Sequence, residues 1–142
     1  MKKILFVFTV IFTILVISCK EEGKKENAEP TQMQEVMAIH DEVMPKMGKI
    51  NTLIQELNAK IDTTEAGTQY VEAKKDLEAA HKFMMDWMKG FGDRFTSDEI
   101  MKGKSLSDEK KKWLDEEEEK VNELRNQINS SIENAEELLK NN

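Results

Sequence analysis

Apolar side chains recur at steps of three and four through most of the chain. Between residues 31 and 62 the series runs Met33, Met37, His40, Met44, Met47, Ile50, Ile54, Leu57 and Ile61, with His40 counted among them. Steps of that size gather side chains on one helical face, in a seam of heptad type, whereas strand alternation appears nowhere. Thr31-Gln32-Met33-Gln34 has the form of a capping box and marks where the first helix starts. Asp62 to Gly67 (DTTEAG) breaks the periodicity and offers a turn. A second run passes through Tyr70, Ala73, Leu77, His81, Met84, Met88 and Phe91, and Gly90 and Gly92 are expected to cap its end.

The connector that follows carries a second capping box, Thr96-Ser97-Asp98-Glu99, leading one helical turn that Gly103 ends. Ser107 is the expected cap of a third helix, with Asp108 and Glu109 favourably placed at its positive end. The seam of that helix is Leu114, Glu117, Val121, Leu124, Ile128, Ile132, Ala135 and Leu138 or Leu139. Helices over about 31–62, 66–90 and 107–139, joined by short connections, predict an all-α fold: an antiparallel up-down-up three-helix bundle with coiled-coil-like seams. The third helix is thinly apolar, so its packing is expected to be weaker or shared with a partner. Pro45 is the local exception, because it removes one amide donor and clashes with the carbonyl of Asp41. The first helix is therefore either kinked near Asp41 or divided into a short helix and a longer one.

The first thirty residues follow a different pattern. A cationic head, Met1-Lys2-Lys3, precedes a run from Ile4 to Ile17 that is apolar apart from Thr9 and Thr13. The run is shorter than a spanning helix needs and reads as a signal-peptide core over residues 1–18. It ends in Val16-Ile17-Ser18-Cys19, which resembles the bacterial lipobox. That resemblance implies that Cys19 is acylated, as with palmitate, and becomes the first residue of a mature chain anchored to the membrane. Attachment through several acyl chains is firm. Residues 19–30 comprise that cysteine and a polar stretch, KEEGKKENAEP, with no apolar side chain larger than alanine, as in a flexible tether. Lys20-Glu21-Glu22 loosely resembles the surface-export signal of Bacteroidota-type lipoproteins, and a plain polar tether accounts for it equally well. The implied location is the cell envelope, at the outer membrane, on its periplasmic face or at the cell surface.

Charge narrows the partners. The net charge of −7 argues against nucleic acid, which is bound through basic patches. One Cys and 2 His exclude disulfide frameworks and zinc sites of several such ligands, and acylation of Cys19 would remove the only thiol.

The methionines are unevenly spread. Four lie from Met33 to Met47, three from Met84 to Met88, and Met101 sits in the connector. A hairpin turning near Glu65 brings residue i opposite about residue 130 − i, so Met44 and Met47 face Met84, Met85 and Met88, with His40 and His81 in the same group. Thioethers and imidazoles are soft or borderline donors that suit Cu(I) or Ag(I), and neighbours at i,i+4 such as His40 and Met44 share a face. Met37, Met101 and Glu117 are accessory candidates. Three readings of the cluster stand: ordinary flexible core packing, a soft-metal site, and a methionine-lined groove for a partner helix. Haem held between His and Met fits poorly in so slim a core. The run Asp115 to Glu119 lacks a calcium loop and reads as a solvated face, with Glu116 paired to Lys120. Glu117, on the seam, is expected as a rim residue reaching water or as a partner of an imidazole. Trp87 and Trp113 are expected to cover the same end. No nucleophile elbow, phosphate loop or HExxH motif occurs, so the expected role is not enzymatic.

HDEVMPKM (His40 to Met47), AAHKFMMDWMKGFGDRF (Ala79 to Phe95) and EEEEKVNELRNQINSSIENAEELL (Glu116 to Leu139) together resemble a group of small Bacteroidota-type lipoproteins labelled viral A-type inclusion proteins. The resemblance implies a helical lipoprotein and transfers no activity or functional residue. The expected role is structural or interactive, with contact to a protein partner along the seams; the alternative is soft-metal binding by the Met/His cluster.

Overall fold

A computed structural model describes residues 30–62 and 65–141 of the chain, with the backbone alone at residues 65 and 66. The expected signal peptide, Cys19 and the tether up to residue 29 lie outside the described residues. Among the described residues every regular element is helical and no strand occurs. No described helix is long and apolar enough to cross a membrane.

Helix α1, Gln32–Val43, opens on the expected capping box. Thr31 N donates to Gln34 Oε1 at 2.8 Å and Gln34 N donates to Thr31 Oγ1 at 3.3 Å, satisfying two amides that a helix start leaves orphaned. The segment expected over 31–62 is divided at Pro45, one of the two outcomes expected of that proline. Met44–Lys46 form one 3₁₀ turn and α2 then runs Met47–Asn58. Pro45 has no N–H to offer the Asp41 carbonyl, so the α ladder stops, and the tighter bond from Met47 N to Met44 O carries the chain across. The two pieces are of equal length, 12 residues each.

Helix α3 spans Glu65–Arg94 and corrects the expectation that Gly90 and Gly92 end it. Both glycines lie within the helix. Each costs about 1 kcal/mol of helix propensity relative to Ala, but burial of Phe91 between them, and of Phe95 just past the helix end, offsets that cost. The break comes at Thr96, which is extended and caps α4, Ser97–Lys102; Gly103, left-handed at φ 65°, closes that turn as expected. Helix α5, Asp108–Asn141, is capped by Ser107, whose hydroxyl accepts from Lys110 N at 3.3 Å.

Four of these helices, α1, α2, α3 and α5, pack against one another. Side-chain pairs give their directions. Gln32 Nε2 donates to Asp115 Oδ1 and Glu118 Oε2, each at 2.8 Å, and Lys46 Nζ donates to Asn129 Oδ1 at 2.6 Å. Lys49 pairs with Glu136. Numbers rise together along α1–α2 and α5. Along α3 they fall against α1–α2: the His40 ring meets Trp87, and Lys74 Nζ donates to Asn58 Oδ1 at 2.9 Å.

The seam expected on α5 is the seam found, with Leu114, Glu117, Val121, Leu124, Ile128, Ile132 and Ala135 all buried. Far from packing weakly, α5 touches α1, α2 and α3. On α1 the buried stripe is Met33, Val36 and Val43, so Met37 and His40 are half-buried and Met44 faces out. On α3, Ala80 and Trp87 take the core places expected for His81 and Met88.

Candidate functional site

The end of α3, α4 and the start of α5 meet at one pole of the bundle. Because the chain returns from α3 to α5 within thirteen residues (95–107), Arg94 comes to lie opposite the acidic run of α5. Its Nη1 donates to Glu117 Oε1 at 2.9 Å and to Glu116 Oε2 at 2.7 Å, and its guanidinium carbon stands 5.6 Å from the Trp113 ring centroid. Lys120 Nζ donates to the same Glu117 oxygen at 2.9 Å. Glu117 is only 2% exposed, and a carboxylate so buried must have such partners to stay charged. It is thus neither the rim residue nor the imidazole partner expected from the sequence. Lys120 also chooses Glu117 over Glu116, which takes Arg94 instead.

An aromatic ladder runs beside this triad. His40 stacks on Trp87 at 5.7 Å between centroids, Trp87 on Phe91 at 4.9 Å, and Phe91 on Phe95 at 4.9 Å. The three α3 or α3-end residues are four apart, the spacing that aligns helical neighbours. Lys110 Nζ lies 5.9 Å from the Phe95 centroid and donates to Glu99 Oε2 at 2.7 Å. That oxygen also accepts from Thr96 N and Thr96 Oγ1, each at 2.8 Å. The Lys110 hydrogen bond, followed by those of the Thr96 backbone and hydroxyl, holds the Glu99 carboxyl down at about 2. Trp87 Nε1 is buried with no hydrogen-bond partner among the described residues. Trp87 also lines a cleft of about 190 Å³ with Phe83, Asp86, Gly90, Glu117 and Lys120.

The methionine group divides in two. Met33, Met47 and Met84 lie within one core cluster, with Met37 and Met88 packed against it. Met44, Met85 and Met101 are instead 40%, 46% and 78% exposed. His40 and His81 are half-buried, and His40 Nδ1 stands 2.9 Å from Asp41 Oδ1. No group of three or more His, Cys, Asp or Glu is placed to hold a metal ion among the described residues. Any soft-metal site would draw on the thioethers of the core subset. Trp87 is buried between His40 and Phe91, and Trp113 is half-buried beneath Arg94.

Sequence reasoning misses Arg94 and gives Glu99 only a capping role. The signal for Arg94 is its charge alone: it stands in the last turn of α3, and Asp115 to Glu119 follow on α5 only after α4, with no register to say which acid it meets. Chemically, the pole neutralises its buried acids rather than exposing them. No family model matches the chain, and no curated protein or solved structure is detectably similar to it.

Proposed function

We propose that this chain is a lipid-anchored, non-catalytic protein of the cell envelope, with a structural or interaction role. In this reading its packed helices are an antiparallel up-down-up bundle with coiled-coil-like seams, in which α1 and α2 form one rod broken at Pro45. The parallel pairs of α1–α2 with α5 and the opposed pairs with α3 support that arrangement. The sequence Val16-Ile17-Ser18-Cys19 supports acylation, as does the resemblance to small helical lipoproteins. The observation that carries the non-catalytic role is the engagement of both buried acids as counter-ions. Glu117 is clamped by Arg94 and Lys120, and Glu99 is held near 2, far from the range in which a carboxyl relays protons at neutral pH. Metabolic labelling with a palmitate analogue tests the anchoring. Label is expected on the wild-type chain and absent from Cys19→Ala; an unlabelled wild type overturns the reading.

Soft-metal binding is the second reading, and what supports it is the burial of Met33, Met47 and Met84, with Met37 and Met88 half-buried, on three helices that share one core. Their thioethers suit Cu(I). Competition against a Cu(I) chelator decides: withdrawal of one equivalent, lost in Met47→Leu with Met84→Leu, is expected on this reading, and no withdrawal ends it.

A further inference from the structure

Residues 100–112 hold five lysines (102, 104, 110, 111 and 112) against two acids, in a chain whose net charge is −7. Three of them are paired locally, Lys102 with Asp98, Lys110 with Glu99 and Lys111 with Asp108, which leaves Lys104 and Lys112 as the lysines of this stretch without an ion pair among the described residues. At its tip the chain reverses at Gly103, which adopts the left-handed conformation, and Lys102 and Lys104 flank the turn. Met101 precedes them and is 78% exposed. An exposed thioether beside lysines is not required by the fold, because the α4 turn is already fixed from behind. Its capping box closes on Thr96, Lys104 N donates to Asp98 O at 3.3 Å, and Glu99 is tied to Lys110. The Met101–Lys104 knuckle is thus held out from the bundle by its own backbone bonds.

Its position is as informative as its composition. Thr31 and Gln32 line one cleft together with Gly103 and Lys104, so the knuckle stands beside the entry of the N-terminal tether. Twelve peptide steps from Cys19 to Thr31 reach at most about 40 Å, which keeps this pole near any bilayer that holds Cys19. We propose that the Met101–Lys104 knuckle docks on an anionic lipid surface, with the Met101 side chain entering the headgroup region and Lys102 and Lys104 meeting lipid phosphates. The proposal rests on the anchoring reading above. Lys104 makes no ion pair among the described residues, whereas Lys102 exchanges a solvent-exposed partner, Asp98 at 2.7 Å, for phosphate. Basic side chains close to a membrane are attracted by its negative surface potential over about a Debye length, so high salt weakens the contact.

Residues 19–142, coupled through the Cys19 thiol to a maleimide lipid, provide the test on phosphatidylglycerol-containing vesicles and on vesicles of phosphatidylcholine alone. Peroxide oxidation of each methionine is followed by peptide mass mapping, with exposed Met85 as the internal reference. On anionic vesicles Met101 is expected to oxidise several-fold more slowly than in the uncoupled chain, while Met85 is unchanged. High salt, or Lys102→Glu with Lys104→Glu, restores the faster rate. An unprotected Met101 on anionic vesicles, or equal protection on neutral ones, overturns the proposal. Protection in the uncoupled chain that grows with its concentration also overturns it and points to a second copy. The lipid is attached chemically, so failure here leaves acylation in the cell standing, and a missing palmitate label leaves the vesicle result readable.

Discussion

Arg94 of α3 and Glu117 of α5 meet at 2.9 Å, with the carboxylate buried and the guanidinium half-exposed above Trp113. This contact ties together two helices that run in opposite directions, close to the place where the chain passes from one to the other.

Arg94→Ala leaves Glu117 with Lys120 as its one cation, and Lys120 is the more exposed of the two partners. Removing one partner of a buried charge is costly, so a loss on the order of 2–3 kcal/mol is expected. Glu117→Leu removes the charge itself and is expected to be near neutral or stabilising. Urea unfolding midpoints of the two variants, measured side by side, check the contrast in sign.

Gly67 sits in the first turn of α3, where a Cβ would run into the backbone carbonyl of Asp62. Gly90 and Gly92 lie in the same helix, and a Cβ at either would meet nothing within 4 Å. Gly67→Ala is therefore expected to destabilise the fold by more than about 1 kcal/mol, whereas Gly90→Ala and Gly92→Ala each stabilise it by about 0.5–1 kcal/mol. Thermal melts of the three single variants test this.

Glu99 adds a pH dependence. Its carboxyl lies at about 2 in the folded chain against an ordinary 4.5, because Lys110 and Thr96 bind the charged form. Lower in the folded state means that its contribution is complete above about pH 4.5 and is lost as the pH falls toward 2. Glu99→Gln should remove that part of the acid sensitivity while lowering stability at neutral pH. Denaturant titrations from neutral to acid pH compare the two slopes.

The seam of α5 is legible in the sequence because it offers one apolar stripe and no competitor, whereas its close packing and the burial of Glu117 are not. Residues 33–47 offer two stripes, Met33-Val36-Val43-Met47 and Met33-Met37-Met44-Met47, both at helical spacing. Which one is buried depends on the neighbour: α1 packs on α5 and turns Val36 and Val43 inward, leaving Met44 outside. The same ambiguity exchanges His81 and Met88 for Ala80 and Trp87 on α3, a helix that faces both α2 and α5. Gly90 and Gly92 resemble an ending because local propensity favours one there, and burial of Phe91 and Phe95 outweighs it. Pro45 announces a break, and the chain breaks there. The Arg94–Glu117–Lys120 triad is hidden because it needs the register between two helices, which neither helix specifies alone.

Intact-mass analysis of the protein purified from its own membranes tests the central claim most directly. The account predicts a chain that begins at Cys19 and carries the added mass of a diacylglyceryl group and its fatty acids. A chain that retains residues 1–18, or one whose Cys19 is a free thiol, would contradict it.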